Sequence, residues 1–146
     1  MLHIIKSVQD PLISYVVQDP VRPEIPVSWR VEHNNEVFTL VNEHSEPQAI
    51  VCVAYRNSVP SSVDDLFLKE VSEPNTAIFY TIWSYKTGKG QQLLMEAVKG
   101  IQKKYPSINR FVTLSPKTDL ARKFHLKNGA KELSNNKVTV NYEYRI

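Results

Sequence analysis

The stretch Ala77-Ile78-Phe79-Tyr80-Thr81-Ile82-Trp83-Ser84-Tyr85-Lys86-Thr87-Gly88-Lys89-Gly90 decides the fold of this 146-residue chain. Its first half, Ala77 to Trp83, is apolar and rich in β-branched and aromatic residues, which predicts a strand. Past Gly90, Leu93, Leu94, Ala97, Val98, Ile101 and Tyr105 recur at helical spacing. Lys99, Lys103 and Lys104 fall on the other side as a solvated face. Pro106 stops that helix. A helix start carries free N–H groups and a partial positive charge. Two glycines there let the backbone approach an anion closely, so strand, glycine loop and helix together make a pyrophosphate cradle. Lys86 and Lys89 could add charge. The same spacing also suits a tight turn that binds nothing. The loop is neither a P-loop nor a dinucleotide fingerprint, because the glycines and lysine of those patterns are missing.

Outward from this stretch, Phe111 to Leu114 reads as another strand. Ser115 or Thr118 can cap a helix over Asp119–Asn128, which Gly129 closes. Val138 to Tyr144 alternates as a final strand. Upstream, Glu36–Val41 alternates, Glu43–Glu46 turns, and Ala49–Tyr55 is a continuous β-branched run, which predicts a hairpin with a central second strand. Val63–Val71 reads as a short helix and Met1–Ile5 as an edge strand. Pro11, Pro20, Pro23 and Pro26 exclude a long helix from Asp10 to Pro26. A short helix near Leu12–Val17 and a loop remain there, either without a role or gating a substrate. The resulting β-α-β-α-β core predicts one α/β (α+β) domain over residues 1–146, with a mixed central sheet flanked by helices.

Composition narrows the class. The chain has 18 Lys+Arg against 15 Asp+Glu, a net charge of +3, and is 42% hydrophobic. That balance argues against disorder. No apolar run approaches the ~18–20 residues of a membrane span, and the first residues do not read as a secretory signal. Cys52 stands alone, so no internal disulfide is expected, which fits a reducing, cytoplasmic location. No dense Lys/Arg patch with interleaved aromatics points to nucleic acid. His3, His33 and His44 lack metal-ligand spacing, so no metal is expected. The chain is expected as a monomer or homodimer with a small-molecule partner.

Strand, Gly-x-Gly loop, helix, strand and a helix ending in Gly resemble the GNAT acyltransferase superfamily, in which the loop holds the pyrophosphate of an acyl-CoA. Gly88 and Gly90 match that loop's two glycines, whereas its leading Arg/Gln is Tyr85 here. The end of the later helix carries His125 and Ala130 where the superfamily usually has Tyr and Phe. Those departures point to a narrower branch. Phe124-His125-Leu126-Lys127-Asn128-Gly129-Ala130 and Val140-Asn141-Tyr142-Glu143-Tyr144 resemble the end of the malonyl-CoA decarboxylase catalytic domain. Ala77–Ile82, Thr113–Pro116, Glu46-Pro47 and Val53-Ala54 also fit that family, over roughly residues 36–144. The family's catalytic Ser falls on Thr81, its longer glycine loop is shorter here, and its separate N-terminal helical domain is expected to have no counterpart.

The resemblance implies an acyl-CoA thioester as cofactor or substrate. It implies binding along Ile82, Trp83, Ser84, Tyr85, Lys86, Thr87, Gly88, Lys89, Gly90 and Gln91. Thr81 and His125 become the catalytic candidates, with Tyr80, Ser115, Asn128 and Asn141 around the substrate. Decarboxylation of a malonyl thioester leaves an enolate whose oxygen needs donors in place, such as a backbone N–H near Ile82–Ser84. His125, at an ordinary pKa of ~6.5, suits the proton donor. The Thr81 hydroxyl could bond the departing carboxylate or orient His125, and Asn141 could orient it too. Trp83 and Tyr80 could exclude water. The same parts support transfer of an acyl group to an amine, with Glu32, Glu36, Glu43 and His44 as candidate bases. A non-catalytic acyl-CoA-binding module is the third reading.

Overall fold

The computed structural model describes residues 1–67 and 71–146. Thirteen elements are described. They are β1 (Leu2–Ile5), α1 (Ile13–Val16), α2 (Val27–Arg30), β2 (Asn35–Val41), β3 (Pro47–Arg56), α3 (Val63–Phe67) and β4 (Thr76–Ser84). After them come α4 (Lys89–Lys104), β5 (Arg110–Thr113), β6 (Ser115–Pro116), α5 (Asp119–Lys127), β7 (Ala130–Asn135) and β8 (Thr139–Tyr144). The helix expected over Val63–Val71 is described as far as Phe67, and residues 68–70 lie outside the described residues.

One mixed sheet runs in the order β1-β2-β3-β4-β5-β8-β6, with β7 on β8. Among the described residues only the β4–β5 pair is parallel. A parallel neighbour needs a crossover, and α4 provides it. On one face, Phe38, Leu40, Val51, Val53, Ala77 and Phe79 pack against Leu93, Leu94, Ala97, Val98 and Ile101 of α4. Each large aliphatic side chain buried there contributes roughly 1.5–3 kcal/mol, against a few tenths per residue from helix propensity, so docking on the sheet holds α4. The other face carries Ile5, Val37, Ile50, Cys52, Ile78, Tyr80 and Val112, covered by Val16, Ile25 and Leu66.

β4 changes phase partway along. Cys52 pairs Thr81 and Val53 pairs Phe79, so Tyr80 is an extra, bulged residue. Before the bulge Ala77 and Phe79 face α4, and after it Ile82 does. Ile78, Tyr80 and Trp83 face the other way. Tyr80 and Thr81 are thereby neighbours on that second face.

Three elements depart from the sequence expectation. The loop after α1 contains the four-residue α2, β6 is two residues long, and β7 is an additional strand. β7 reads Ala-Lys-Glu-Leu-Ser-Asn and is exposed beyond Ala130 except at the half-buried Ser134. It is held by its ladder to β8 and not by an apolar face.

Candidate functional site

The parallel β4–β5 ladder covers only Thr76–Phe79 against Arg110–Thr113. Its last link is the Leu114 N–H donating to the Phe79 carbonyl at 2.9 Å. Beyond it the two strands part, and β5 gives way to β6, which pairs with β8. From Tyr80 onward, β4 therefore has no strand partner on its β5 side among the described residues. Buried or half-buried backbone polar groups need partners, so this edge is suited to a ligand that carries amides. A cavity of about 640 Å³ opens in the gap. Its walls include Phe79–Ser84, Leu114, Ser115, Phe124 and His125, with Pro20 and Val21 on the N-terminal side.

The glycine loop lies at the end of β4. Gly88 is the N-cap of α4 at φ 81, a left-handed conformation that glycine adopts without strain. Lys89 N–H donates to the Lys86 carbonyl and Gln92 N–H to the Gly88 carbonyl. The N–H groups of Gly88, Gly90 and Gln91 donate to no protein acceptor among the described residues. A Cβ added at Gly90 would meet Phe124 at 3.5 Å and Ser84 at 3.7 Å, which is ordinary contact. Packing therefore does not demand glycine at 90, whereas close approach of an anion would. Lys86 and Thr87 are exposed and Lys89 half-buried around these amides, and the Lys89 ammonium bonds Gln92 at 3.2 Å. The unpartnered amides and the helix dipole fit a pyrophosphate. Tyr85 stands aside from them. Its hydroxyl accepts from the Trp83 indole at 3.1 Å, and its ring meets Tyr15 edge-on.

Thr81 and His125 line the same cavity, but neither hydroxyl nor imidazole is bonded to the other among the described residues. Thr81 donates to Asp19 Oδ1 at 3.0 Å. Asp19 is buried at the start of an Asp-Pro-Val-Arg turn, where Oδ1 also accepts from the N–H groups of Val21 and Arg22. Its Oδ2 accepts from Arg30 at 2.6 Å, and Arg30 in turn donates to the carbonyls of Arg22 and Ile25. The Arg22 guanidinium donates to the Leu114 carbonyl at 3.1 Å, so this turn is pinned to the point where β4 and β5 part. Burial lowers the Arg22 pKa from its ordinary value.

His125 lies on the buried face of α5, which Thr118 caps by accepting from the Ala121 N–H. Its ring stacks on Tyr142, and its Nδ1 lies 2.6 Å from the Tyr144 hydroxyl. Burial lowers its pKa to about 4. The ordinary value of ~6.5 expected for it is not kept, and the imidazole is neutral near neutral pH. Burial also raises the Tyr144 pKa, so the phenol keeps its proton. With that proton given to Nδ1, the imidazole carries its own on Nε2.

The remaining candidates divide. Tyr80, Ile82, Trp83, Ser84 and Ser115 line the cavity. Ser115 donates to the Thr113 hydroxyl at 2.8 Å. The Tyr80 hydroxyl is buried without a partner among the described residues. Asn141 lies outside the cavity and ties strands together, donating to the carbonyls of Pro60 and Thr113 and accepting from Asn136. Asn128 caps α5 and donates to the Phe124 carbonyl. Of the candidate bases, Glu36 is held by Tyr55 and Lys104, and with Glu32 lines a second cavity at the opposite end of β4. Glu43 and His44 sit exposed at the β2–β3 turn. None of the four reaches the cavity between β4 and β5. Asp19 and Tyr144 were not among the residues singled out from sequence. Tyr144 stood in the quoted Val140–Tyr144 string, while Asp19 had only an Asp-Pro turn signal.

Comparison with known proteins adds a family and a fold. The family model described as "Malonyl-CoA decarboxylase C-terminal domain" matches residues 37–143. No curated protein matches the chain in sequence. The structure is similar to malonyl-CoA decarboxylase from Agrobacterium vitis, with a TM-score of 0.84 and 18% identity over 100% of this chain and 60% of that one. The enzyme of the same name from Rhodopseudomonas palustris gives 0.80 and 18%, again over 100% and 60%. The chain thus spans about 60% of the length of these decarboxylases. The PaiA N-acetyltransferase from Thermoplasma acidophilum, solved with coenzyme A, gives 0.64 at 14% identity over 100% of this chain and 99% of that one. The fold is the GNAT fold. No helix among the described residues is long and apolar enough to cross a membrane.

Proposed function

The chain belongs to the malonyl-CoA decarboxylase C-terminal domain family, and from that premise we propose that it decarboxylates a malonyl thioester of coenzyme A. The observation that carries this reading is His125 in the wall of the β4–β5 cavity, with the Tyr144 hydroxyl against its Nδ1. In the reaction the bond between the carboxylate and the α-carbon breaks, CO₂ leaves, and the electron pair forms a thioester enolate. That carbanion is far more basic than an imidazole nitrogen. A neutral imidazole is therefore acid enough, and imidazolium is not required. The α-carbon takes the Nε2 proton while Nδ1 takes the proton of Tyr144, which solvent later restores. The unpaired β4 edge receives the pantetheine amides, and the amides of Gly88, Gly90 and Gln91 receive the pyrophosphate. Backbone N–H groups along the same edge offer donors to the enolate oxygen.

The test is incubation of the purified protein with malonyl-CoA, followed by mass spectrometry. Acetyl-CoA and CO₂ should form with the wild type and be lost in His125→Ala. Malonyl-CoA left intact by a folded protein would refute decarboxylation.

A second reading, acyl transfer from CoA to an amine, has one observation in its favour. The fold is shared with an N-acetyltransferase solved with coenzyme A, at a TM-score of 0.64. Release of the CoA thiol from acetyl-CoA with an amine panel would select it. Tight CoA binding without either turnover would leave a binding module.

A further inference from the structure

Thr81 has one proton and Asp19 takes it. Every other neighbour of the Asp19 carboxylate is an obligatory donor: the N–H groups of Val21 and Arg22 and the Arg30 guanidinium. Oδ1 accepts three hydrogen bonds and Oδ2 a charged one, so the carboxylate has only acceptor capacity to offer Thr81. Asp19 and Arg30 are both buried, and their side chains are 0% and 1% exposed. Arg30 is fixed in turn by two backbone carbonyls. The pair is rigid and cannot turn away to release the hydroxyl. A hydroxyl whose proton is committed has only lone pairs left, and no protein donor fills them among the described residues.

We propose that Asp19 is a positioning residue that turns Thr81 into a hydrogen-bond acceptor toward the cavity, so that the group seated at Thr81 is a donor and not a carboxylate. The proposal rests on the cavity being the acyl-thioester site. It reverses the expected role of Thr81 as a donor to the departing carboxylate. It also gives the cavity two unlike walls, an N–H donor at His125 and an oxygen acceptor at Thr81. The free carboxylate of a malonyl group is then held away from Thr81, whereas a group bearing N–H or O–H is accepted there. Asp19 does not touch the guest. It acts through Thr81 alone.

The first test needs no ligand. In ¹H NMR of the wild type, the Thr81 hydroxyl proton should be slow to exchange and visible, with cross-relaxation to the Asp19–Arg22 turn. A Thr81 hydroxyl exchanging as fast as those of exposed threonines would overturn the proposal. The second test compares the affinities of malonyl-CoA and acetyl-CoA in a cycle of Asp19→Ala and Thr81→Val. Removing the carboxylate removes the acceptor of the Thr81 proton, which frees the hydroxyl to face the guest. Asp19→Ala should therefore shift the malonyl-to-acetyl affinity ratio several-fold toward malonyl-CoA, and should leave it unchanged in the Thr81→Val background. An equal shift in both backgrounds would show a charge effect that bypasses Thr81 and would refute the role. Thr81→Ser should keep the wild-type ratio. If Asp19→Ala does not fold, the wild-type NMR result decides alone. Binding of neither thioester would sink the functional reading, while the hydroxyl measurement would still decide this one.

Discussion

The two walls of the cavity are built from opposite kinds of sequence. The C-terminal wall comes from β6 and α5, where a capped helix sets His125 in the lining with Tyr144 of the alternating strand β8 behind it. The N-terminal wall comes from the proline-rich segment around Asp19, which has no periodicity at all. Regular elements place the C-terminal pair by packing. On the N-terminal side, a buried ion pair and hydrogen bonds to backbone do the same work. One wall is neutral and the other charged, so they should fail differently when perturbed.

The largest effect is expected from His125→Ala. Loss of a positioned proton donor typically costs 10²–10⁴ in rate, so acetyl-CoA formation should fall at least ~100-fold, while a cooperative unfolding transition remains. Asp19→Ala should act on the fold. It leaves Arg30 as an uncompensated buried charge, and breaking such a pair costs about 3–5 kcal/mol, readable as a lower midpoint in urea. Equal loss of stability in the two variants would erase the contrast between the walls.

Acid sharpens the same contrast. The folded pKa of His125 is about 4, below the ~6.5 of an unfolded histidine. Between those values the unfolded chain binds more protons, so stability is full above ~6.5 and falls as pH drops toward 4. The loss should reach about 3 kcal/mol and should vanish in His125→Gln. A pH titration of the urea midpoint measures it. Smallest is Gly88→Ala at the glycine loop, where φ 81 costs a side-chain-bearing residue roughly 1–2 kcal/mol. Its melting temperature should fall by a few degrees, with CoA affinity falling further if the Gly88–Gln91 amides hold the pyrophosphate.

The same division explains what was legible in the sequence. β2, β3, β4, α4, β5 and β8 each bury apolar residues, and patterning reveals them, while α5 was legible through its capping signals at Thr118 and Gly129. β7 does not, because Lys131, Glu132 and Asn135 are exposed and backbone pairing with β8 alone recruits the strand. α2 is too short to show a period. Thr81 and His125 were readable as candidates through the strings around them. The partners that fix their hydrogen bonds were not, since Asp19 lies 62 residues from Thr81 in the chain. Nothing local distinguishes Asp19 from any other aspartate before a proline. The ordinary pKa expected for His125 differs from the lowered one for a related reason, because burial among residues distant in sequence sets it.

The extra residue in β4 has a further consequence, best put as a matter of reading frame. Tyr80 divides the strand into two segments that alternate out of step, with Phe79 and Ile82 on one face and Tyr80 and Thr81 on the other. A single-residue deletion at Tyr80 would merge the two frames. Everything before it would keep its place, while one frame would have to yield from Thr81 onward, carrying the hydroxyl away from Asp19 or dragging the glycine loop out of register with α4. Substitutions here can be graded, but changes of length cannot. Variation in this lineage should therefore accumulate in side chains at 80 and 81 and never in their number.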